Sequence, residues 1–152
     1  MDRDAVEVGK TGRPYLLPVE RGKLREFVRA VGETSIDGDD PDAVVPPTFL
    51  ATAMWWEHPD SNPLQAANLD PARMLHVEQE YVFHGAPPQV GTVLTGTSRI
   101  AAMWEREGRR GGNMTLVSVT TEFRDESGQL VAEGIWTEAN ISRAATPDGA
   151  DP

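Results

Sequence analysis

The first part of the chain has apolar residues at helical spacing. They are Leu24, Phe27, Val28 and Val31, at positions i, i+3, i+4 and i+7. This spacing predicts an amphipathic helix from about Glu20 to Val31 that packs one face on a core, and Gly32 is placed to end it. The preceding residues, 15–19, read as a short strand or an extended entry into the helix.

A second helix is predicted from Pro46 to Trp56, with its prolines where a first turn tolerates them. The segment is apolar nearly all round, so we expect it to be buried on most sides, with both Trp55 and Trp56 packed in the core. The flanking segments, residues 34–45 and 58–71, are rich in turn-forming residues and are interpreted as loops.

From Met74 onward the apolar positions alternate, which indicates strands. In the first of these, Val77, Gln79, Tyr81 and Phe83 are expected to share one face, opposite His76, Glu78, Glu80 and Val82. Glycine-rich turns separate three further strands, and such turns join antiparallel neighbours. These three strands are predicted at residues 92–105, 114–123 and 129–142. The sequence therefore predicts an α+β hot-dog fold, in which an antiparallel β-sheet wraps around one buried central helix.

The chain has 152 residues, which fits a single domain, predicted to span residues 1–143. The remaining residues, 144–152, are rich in Ala, Pro, Gly and Asp and are expected to form a disordered tail.

The composition argues against several classes of protein. The net charge of -10 disfavours nucleic acid, and the absence of Cys excludes disulfides and thiolate metal sites. We expect neither a metal nor a cofactor. No segment has the apolar length of a secretory signal or a membrane span, so a cytoplasmic location is expected.

Four stretches together resemble the N-terminal-type domain of MaoC-like dehydratases, also called the FAS1-like dehydratase domain. The resemblance covers roughly residues 8–143. The stretches are Val31-Gly32-Glu33-Thr34, Val45-Pro46-Pro47-Thr48-Phe49, Val77-Glu78-Gln79-Glu80-Tyr81-Val82-Phe83-His84 and Arg106-Glu107-Gly108-Arg109-Arg110-Gly111-Gly112. It implies a protein that binds enoyl or (3R)-hydroxyacyl thioesters carried on coenzyme A or acyl carrier protein.

Catalytic members of the family carry a Gly-Asp-x-Asn-Pro-Ile/Leu-His segment, whose Asp and His activate one water. This chain reads Gly32-Glu33-Thr34-Ser35-Ile36-Asp37 there. Glu33 stands at the Asp position and Asp37 near the His position, so the catalytic pair is incomplete. The resemblance then implies the non-catalytic half of an (R)-specific enoyl-CoA hydratase or (3R)-hydroxyacyl-thioester dehydratase.

Several residues are candidates for substrate binding. Backbone N–H groups of Thr48 or Phe49 would meet the thioester oxygen, since the prolines before them lack N–H donors. Trp55 could line an acyl tunnel, and His84 is the best placed of the three histidines. The basic hairpin Arg109-Arg110-Gly111 could bind coenzyme A phosphates, or it could be a solvated turn.

A second segment also matches most of the catalytic motif. It is Asp60-Ser61-Asn62-Pro63-Leu64. It follows the central helix instead of preceding it and has Gln65 in place of His. We therefore interpret it as an ordinary turn that starts with Asn or Asp.

Three interpretations of function remain open. The chain could be the partner subunit described above, a self-sufficient hydratase or acyl-CoA thioesterase that uses Glu33, or a non-catalytic acyl-CoA sensor. In each case the expected partners are acyl-CoA or acyl carrier protein. A homodimer or a heterodimer with a catalytic MaoC-like subunit is also expected, because one hot dog leaves a sheet edge open.

Overall fold

The structure is a computed structural model, and it describes residues 6–37, 39–67, 70–107 and 113–141. These residues contain five strands and two longer helices. In chain order they are β1 (Tyr15–Pro18), α1 (Arg21–Val31), the central helix (Pro47–Trp55), β2 (Met74–Phe83), β3 (Val93–Glu107), β4 (Asn113–Arg124) and β5 (Leu130–Ile141). The predicted tail, residues 144–152, lies outside the described residues.

The strands form one antiparallel sheet in the order β1-β3-β4-β5-β2. A tight connection joins β4 to β5, as the sequence predicted. The turn between β4 and β5 is closed by Asp125, whose carboxylate accepts N–H bonds from Ser127 and Gln129 at 2.9 Å each. The predicted α+β hot-dog fold is confirmed, with β1 and β2 at the two edges of the sheet.

Helix α1 ends where the sequence predicts, at Gly32. This residue has a φ of 70°, a left-handed conformation that glycine adopts without steric cost. The N–H groups of Gly32 and Glu33 donate to the carbonyl oxygens of Arg29 and Val28, which completes the cap. This cap fixes where Glu33 leaves the helix.

The central helix differs from the prediction in two ways. It has 3-10 geometry, with Phe49 N–H donating to the Pro46 carbonyl oxygen at 2.9 Å. It also buries only one side, through Phe49 and Leu50, while Met54 is 65% exposed and Trp55 is 73% exposed. The expectation that Trp55 packs in the core is therefore wrong for the single chain, whereas Trp56 does pack on the core beside Leu50.

Strand β2 also differs from simple alternation. Its register against β5 shifts between His76 and Glu78, which leaves Val77 as an extra residue. As a result His76 lies on the same side as Gln79 and Tyr81. The prediction that Val77 shares that face, with His76 opposite, is wrong, because a bulge reverses the alternation of every residue before it.

The core lies between the sheet and the helices. Leu50 and Ala53 of the central helix pack on Tyr15, Leu17, Leu94, Phe123 and Ala132 of the sheet. A second group surrounds Phe49, which meets Phe27 of α1 edge to face with ring centroids 5.5 Å apart. None of the helices in the described part of the chain has the length and apolar character to cross a bilayer.

Candidate functional site

A cavity of about 320 Å³ lies between the central helix and the sheet. Its volume is at the lower end of the range that holds small organic ligands. Residues of the central helix, of the segment after it and of strands β1, β2, β4 and β5 surround it. They are Tyr15, Leu50, Ala51, Ala53, Met54, Glu57, Asn62, His76, Gln79, Tyr81, Thr121, Phe123, Gly134, Trp136 and Glu138.

Tyr15 is the most enclosed polar residue of this lining, at 3% exposed. Strand β1 pairs it with Gly96 of β3, and its ring lies where a side chain at position 96 would be. Its hydroxyl group is buried, and the carboxyl group of Glu57 beside it is the acceptor to which it can donate a hydrogen bond. Burial, and then the nearby charge of Glu57, raise the pKa of Tyr15, so this hydroxyl stays protonated.

Glu57 follows the central helix and is half-buried in the same lining. Burial raises the pKa of its carboxyl group, and the neighbouring Tyr15 hydroxyl opposes this by a smaller amount. Loss of hydration penalises the charged form of a carboxyl group, which is why its proton is held to higher pH. Glu57 can therefore act as a hydrogen-bond acceptor or, when protonated, as a donor.

His76 and Glu138 face each other across the β2–β5 pair and both line the cavity. Burial raises the pKa of Glu138, and the nearby His76 partly offsets the effect. Cross-strand neighbours of this kind lie close enough to interact through charge. The pair brings an imidazole and a carboxyl group to the more exposed side of the cavity.

Asn62 closes the lining from the segment between the central helix and β2. Its side-chain oxygen accepts the N–H of Leu64 at 2.9 Å, which is the geometry of an Asx turn. The turn predicted for residues 60–64 is confirmed, and its lack of a function stays a prediction. The same turn nevertheless places Asn62 in the cavity wall.

The cavity therefore combines an apolar floor with hydrogen-bonding and titratable groups. Leu50, Ala53 and Phe123 offer a surface for a hydrocarbon chain, while two carboxyl groups, an imidazole and two tyrosines offer hydrogen bonds. Such a mixture can orient a small ligand, and its acid and base groups could also exchange a proton with it.

The two predicted catalytic residues lie elsewhere, in the loop after α1. The Glu33 carboxylate accepts the Ser35 N–H at 2.6 Å, and hydrogen bonds from Ser35 lower its pKa. Asp37 is exposed, and its carboxylate accepts the Asp39 N–H at 2.9 Å. Neither residue lines the cavity. Their catalytic role stays a prediction.

The predicted substrate contacts at the start of the central helix are also outside the cavity. Thr48 is exposed, whereas the Phe49 side chain is fully buried in the core beside Phe27. The Phe49 N–H already donates to Pro46. Of the two N–H groups proposed for a thioester oxygen, that of Thr48 is therefore the better candidate.

The remaining candidates are Trp55, His84 and residues 109–111. Trp55 projects from the central helix and is not part of the cavity wall. His84 lies at the end of β2, where its Nε2 is 2.9 Å from a carboxylate oxygen of Glu133. Arg109, Arg110 and Gly111 lie outside the described residues, so their predicted role in phosphate binding stays a prediction.

Sequence reasoning did not select Tyr15, Glu57 or Asn62. One signal was available for Glu138: it alternates with Gly134 and Trp136 on the inward face of β5, where a carboxyl group is unusual. No comparable signal marks Glu57, which occupies an irregular segment between two elements.

Comparisons with known proteins agree with this architecture. The model of the family described as "FAS1-like, dehydratase domain region" matches residues 7–134. The UPF0336 protein of Parafrankia sp. (strain EAN1pec) is 32% identical in an alignment that covers 90% of this chain and 93% of that protein.

Solved structures show the same fold. The HadBC complex of Mycobacterium tuberculosis, a 3R-hydroxyacyl-ACP dehydratase, matches with a TM-score of 0.63 and 23% identity. This match covers 89% of this chain and 100% of that one. The MaoC-like dehydratase of Rhodospirillum rubrum matches with a TM-score of 0.66 and 12% identity, covering 95% and 99%. At these identities the likeness concerns the fold.

Proposed function

Because the chain belongs to the FAS1-like dehydratase domain family, we propose that it binds an acyl thioester as one subunit of a two-subunit enzyme. That enzyme is an (R)-specific enoyl-CoA hydratase or (3R)-hydroxyacyl-thioester dehydratase, and this chain is its non-catalytic half. The observation that carries the proposal concerns Glu33, which stands at the position of the family's catalytic Asp. Its carboxylate is hydrogen-bonded to Ser35 and its pKa is lowered.

Glu33 is poorly placed to act as a base. Its carboxylate is occupied by the N–H of Ser35, and the hydrogen bonds that lower its pKa make it a weaker proton acceptor. The loop from Gly32 to Val45 also contains no histidine that could complete a pair with it. A second subunit with an intact Asp and His would supply the chemistry.

The cavity gives this chain its role in the pair. Its apolar floor, made by Leu50, Ala53 and Phe123, suits the hydrocarbon part of an acyl group. The thioester carbonyl would lie at the start of the central helix, where the Thr48 N–H can stabilise developing negative charge. The phosphates of the carrier would meet Arg109 and Arg110.

The exposed side of the central helix provides a surface for the second subunit. Met54 and Trp55 are both mostly exposed, and an exposed tryptophan beside another apolar residue is typical of an interaction surface. HadBC, which shares the fold, is itself a complex. The same surface would hold a homodimer together when the chain is alone.

The cytoplasmic location stays a prediction.

The test is hydration of crotonyl-CoA and longer enoyl-CoA thioesters, followed by loss of the conjugated thioester absorbance. We expect no turnover by the chain alone and turnover when a MaoC-like subunit with an intact Asp and His is added. The mixture should exceed the added subunit by itself. High activity of the pure chain would contradict the non-catalytic role.

A second candidate is favoured by the acid and base groups of the cavity. His76, Glu57 and Glu138 surround one space, so the chain could be a hydratase or thioesterase in its own right. Activity of the chain alone that is lost in His76→Ala but kept in Glu33→Gln would place the chemistry in the cavity. The reverse result would support Glu33 as the base. Saturable acyl-CoA binding without turnover, even beside a catalytic partner, would indicate a sensor.

A further inference from the structure

The face of the sheet that points away from the central helix carries a row of apolar residues. Val117 packs in the core and Glu138 lines the cavity, so the residues next to them in sequence, Leu116 and Ala139, point to the opposite face. We call this opposite face the outer face. Cross-strand pairing extends the row over four strands, in the order β3-β4-β5-β2. Its members are Trp104, Leu116, Ala139 and Leu75.

The two ends of this apolar row are open to solvent in the single chain. Trp104 is 40% exposed and Leu75 is 48% exposed, whereas Leu116 and Ala139 between them are buried. Surface tryptophans beside other apolar residues are typical of contacts between proteins. The row therefore indicates a surface that a second molecule covers.

The charges of the outer face are divided between its two sides. Arg99 of β3 and Glu80 of β2 lie at opposite ends of one cross-strand row, and the residues between them are Thr120 and Ile135. Three strand spacings of about 4.8 Å separate the two charged residues by roughly 14 Å, so they do not meet within one chain. Glu78 lies in the adjacent row of β2 and adds a negative charge beside Glu80. This part of the outer face is therefore positive on the β3 side and negative on the β2 side.

Two further carboxylates of the outer face already have partners within the chain. Glu122 accepts hydrogen bonds from Arg124 at 2.7 and 3.1 Å. A carboxylate oxygen of Glu133, which is opposite Glu122 on β5, lies 2.9 Å from His84 Nε2. The charges that this face offers to another molecule are therefore mainly those on its β3 and β2 sides.

This arrangement makes the outer face complementary to itself. When a second copy is turned over about a two-fold axis parallel to the strands, its β2 lies over β3 of the first copy. The order across the sheet is then reversed, while the position along the strands is unchanged. Arg99 of each copy meets Glu80 of the other, and Trp104 meets Leu75 in the same way. Packed sheets cross at about 30°, an offset that the long side chains of Arg and Glu can span.

The outer face is also large enough for such a contact. Four strands about 4.8 Å apart give a width of roughly 19 Å, and β3 from Thr97 to Arg106 gives a length of roughly 33 Å. These dimensions correspond to roughly 600 Å² per chain, or about 1,200 Å² in all, which is at the lower end for specific interfaces between proteins. We therefore expect a reversible association.

We propose that the outer face of the sheet is a self-association surface, on which two copies of the chain pack face to face about a two-fold axis parallel to the strands. The contact covers Trp104 and Leu75 and forms two ion pairs between Arg99 and Glu80. It lies on the other side of the sheet from Trp55, so it does not compete with a subunit on the central helix. It instead joins two such pairs into a larger assembly.

Charge reversal tests both the partner and the axis. Arg99→Glu alone brings carboxylates together at both ends of the contact, and Glu80→Arg alone brings two guanidinium groups together there. Like charges in contact oppose association, so we expect each variant to associate at least tenfold more weakly across this face. An equimolar mixture of the two variants has opposite charges at both ends and should associate as the wild type does. The double variant Arg99→Glu/Glu80→Arg should also associate as the wild type does.

Sedimentation velocity of the full chain measures this association. The salt concentration is about 0.15 M, at which repulsion between chains of net charge -10 is screened beyond about 8 Å. All variants are also made in the Trp55→Lys background, where the contact at the central helix is weakened and the outer face dominates. Arg99 and Glu80 are both exposed, so each variant should fold, which circular dichroism checks.

Two neighbouring residues of β3 provide a matched comparison. Trp104 and Met103 are 40% and 38% exposed, and they point to opposite faces of the sheet. In the Trp55→Lys background, Trp104→Lys should weaken association at least tenfold. Met103→Lys adds the same charge to the face that carries the helix, so it should leave association unchanged.

Three outcomes would overturn the proposal. The first is full association of either charge-reversed variant alone, and the second is a mixture that associates no better than its components. The third is a Trp55→Lys protein that remains monomeric even at millimolar concentration. The outer face is not part of the cavity wall, so each of these outcomes leaves the proposed acyl binding intact.

Discussion

The hydroxyl groups of Ser98 and Thr121 lie 2.8 Å apart across the β3–β4 pair, and both side chains are buried. Thr121 also forms part of the cavity wall. Each hydroxyl satisfies the other in the middle of the sheet. This mutual dependence makes the pair a direct test of the sheet register.

Replacing both partners together should cost less stability than the two single replacements added together. Thr121→Val leaves the Ser98 hydroxyl buried and unpaired, which should lower the free energy of unfolding by about 1–3 kcal/mol. The double variant Ser98→Ala/Thr121→Val removes both hydroxyls and should be destabilised by less than the sum of the single variants. Urea denaturation of the four proteins measures this. Strict additivity would mean that the two hydroxyls do not interact.

Gly96 should be among the least replaceable residues of the sheet. A Cβ atom there would meet the Tyr15 ring at 2.5 Å, so Gly96→Ala must displace the ring or the strand. We expect a loss of about 1–3 kcal/mol of stability by thermal or urea unfolding. Gly22→Ala is the control, since nothing lies within 4 Å of its Cβ position in α1. It should be neutral or stabilising, by up to about 1 kcal/mol.

Glu57 should make the protein less stable as pH rises. Burial raises its pKa in the folded chain above the ordinary value of 4.5, so folding favours the protonated form. The stabilising contribution is complete below 4.5 and is lost as pH rises through the folded pKa. Glu57→Gln, which resembles the protonated form, should therefore gain stability relative to wild type between pH 4 and pH 7.

An exposed carboxylate provides the opposite sign as a control. Lys23 lowers the pKa of Glu26 by a hydrogen bond and by its charge. The contribution of Glu26 to stability is present at neutral pH and is lost as pH falls through the lowered pKa. Glu26→Gln should accordingly lose stability relative to wild type on going from low to neutral pH. Parallel pH profiles for the two variants would contradict the assignment for Glu57.

Trp55 should affect assembly far more than folding. It is mostly exposed in the single chain, so Trp55→Lys should change the free energy of unfolding of the monomer by no more than about 0.5 kcal/mol. If the exposed side of the central helix meets another subunit, the same change should weaken association at least tenfold, because buried tryptophans dominate interfaces. Sedimentation velocity measures the association.

Leu16→Lys serves as the comparison, since Leu16 is 61% exposed on the edge strand β1. It adds the same charge to an exposed apolar position away from the central helix. Loss of association in Leu16→Lys with full association in Trp55→Lys would place the interface at β1 instead.

The fold could be predicted because its signals are local. Alternation located β2 to β5, and the helical spacing of Leu24 and Val28 located α1. The bulge at Val77 had no local signal, since a one-residue shift in register depends on how β2 meets β5. The exposure of Trp55 could not be predicted from the sequence either. Hydropathy does not distinguish a side chain that is buried within its own chain from one that is available to another subunit.

The cavity could not be predicted because its residues come from distant segments. Tyr15 reaches it through pairing with β3, and His76 reaches it through a bulge and pairing with β5. Glu57 and Asn62 lie in a segment without periodicity. The resemblance to a family directed attention to Glu33 and Asp37 in the loop after α1, whereas the enclosed polar groups lie around the end of the central helix.

The order of strands in the sheet differs from their order in the chain, and this affects how the protein is made. Strand β2 precedes β3 but pairs only with β5, the last strand described. During synthesis, β2 therefore has no partner until β5 leaves the ribosome, while β3 and β4 can already pair with each other. For that interval the aromatic side chains of Tyr81 and Phe83, which pack on the core of the folded chain, are open to incorrect contacts. The period before β5 emerges is therefore when the nascent chain most needs a chaperone.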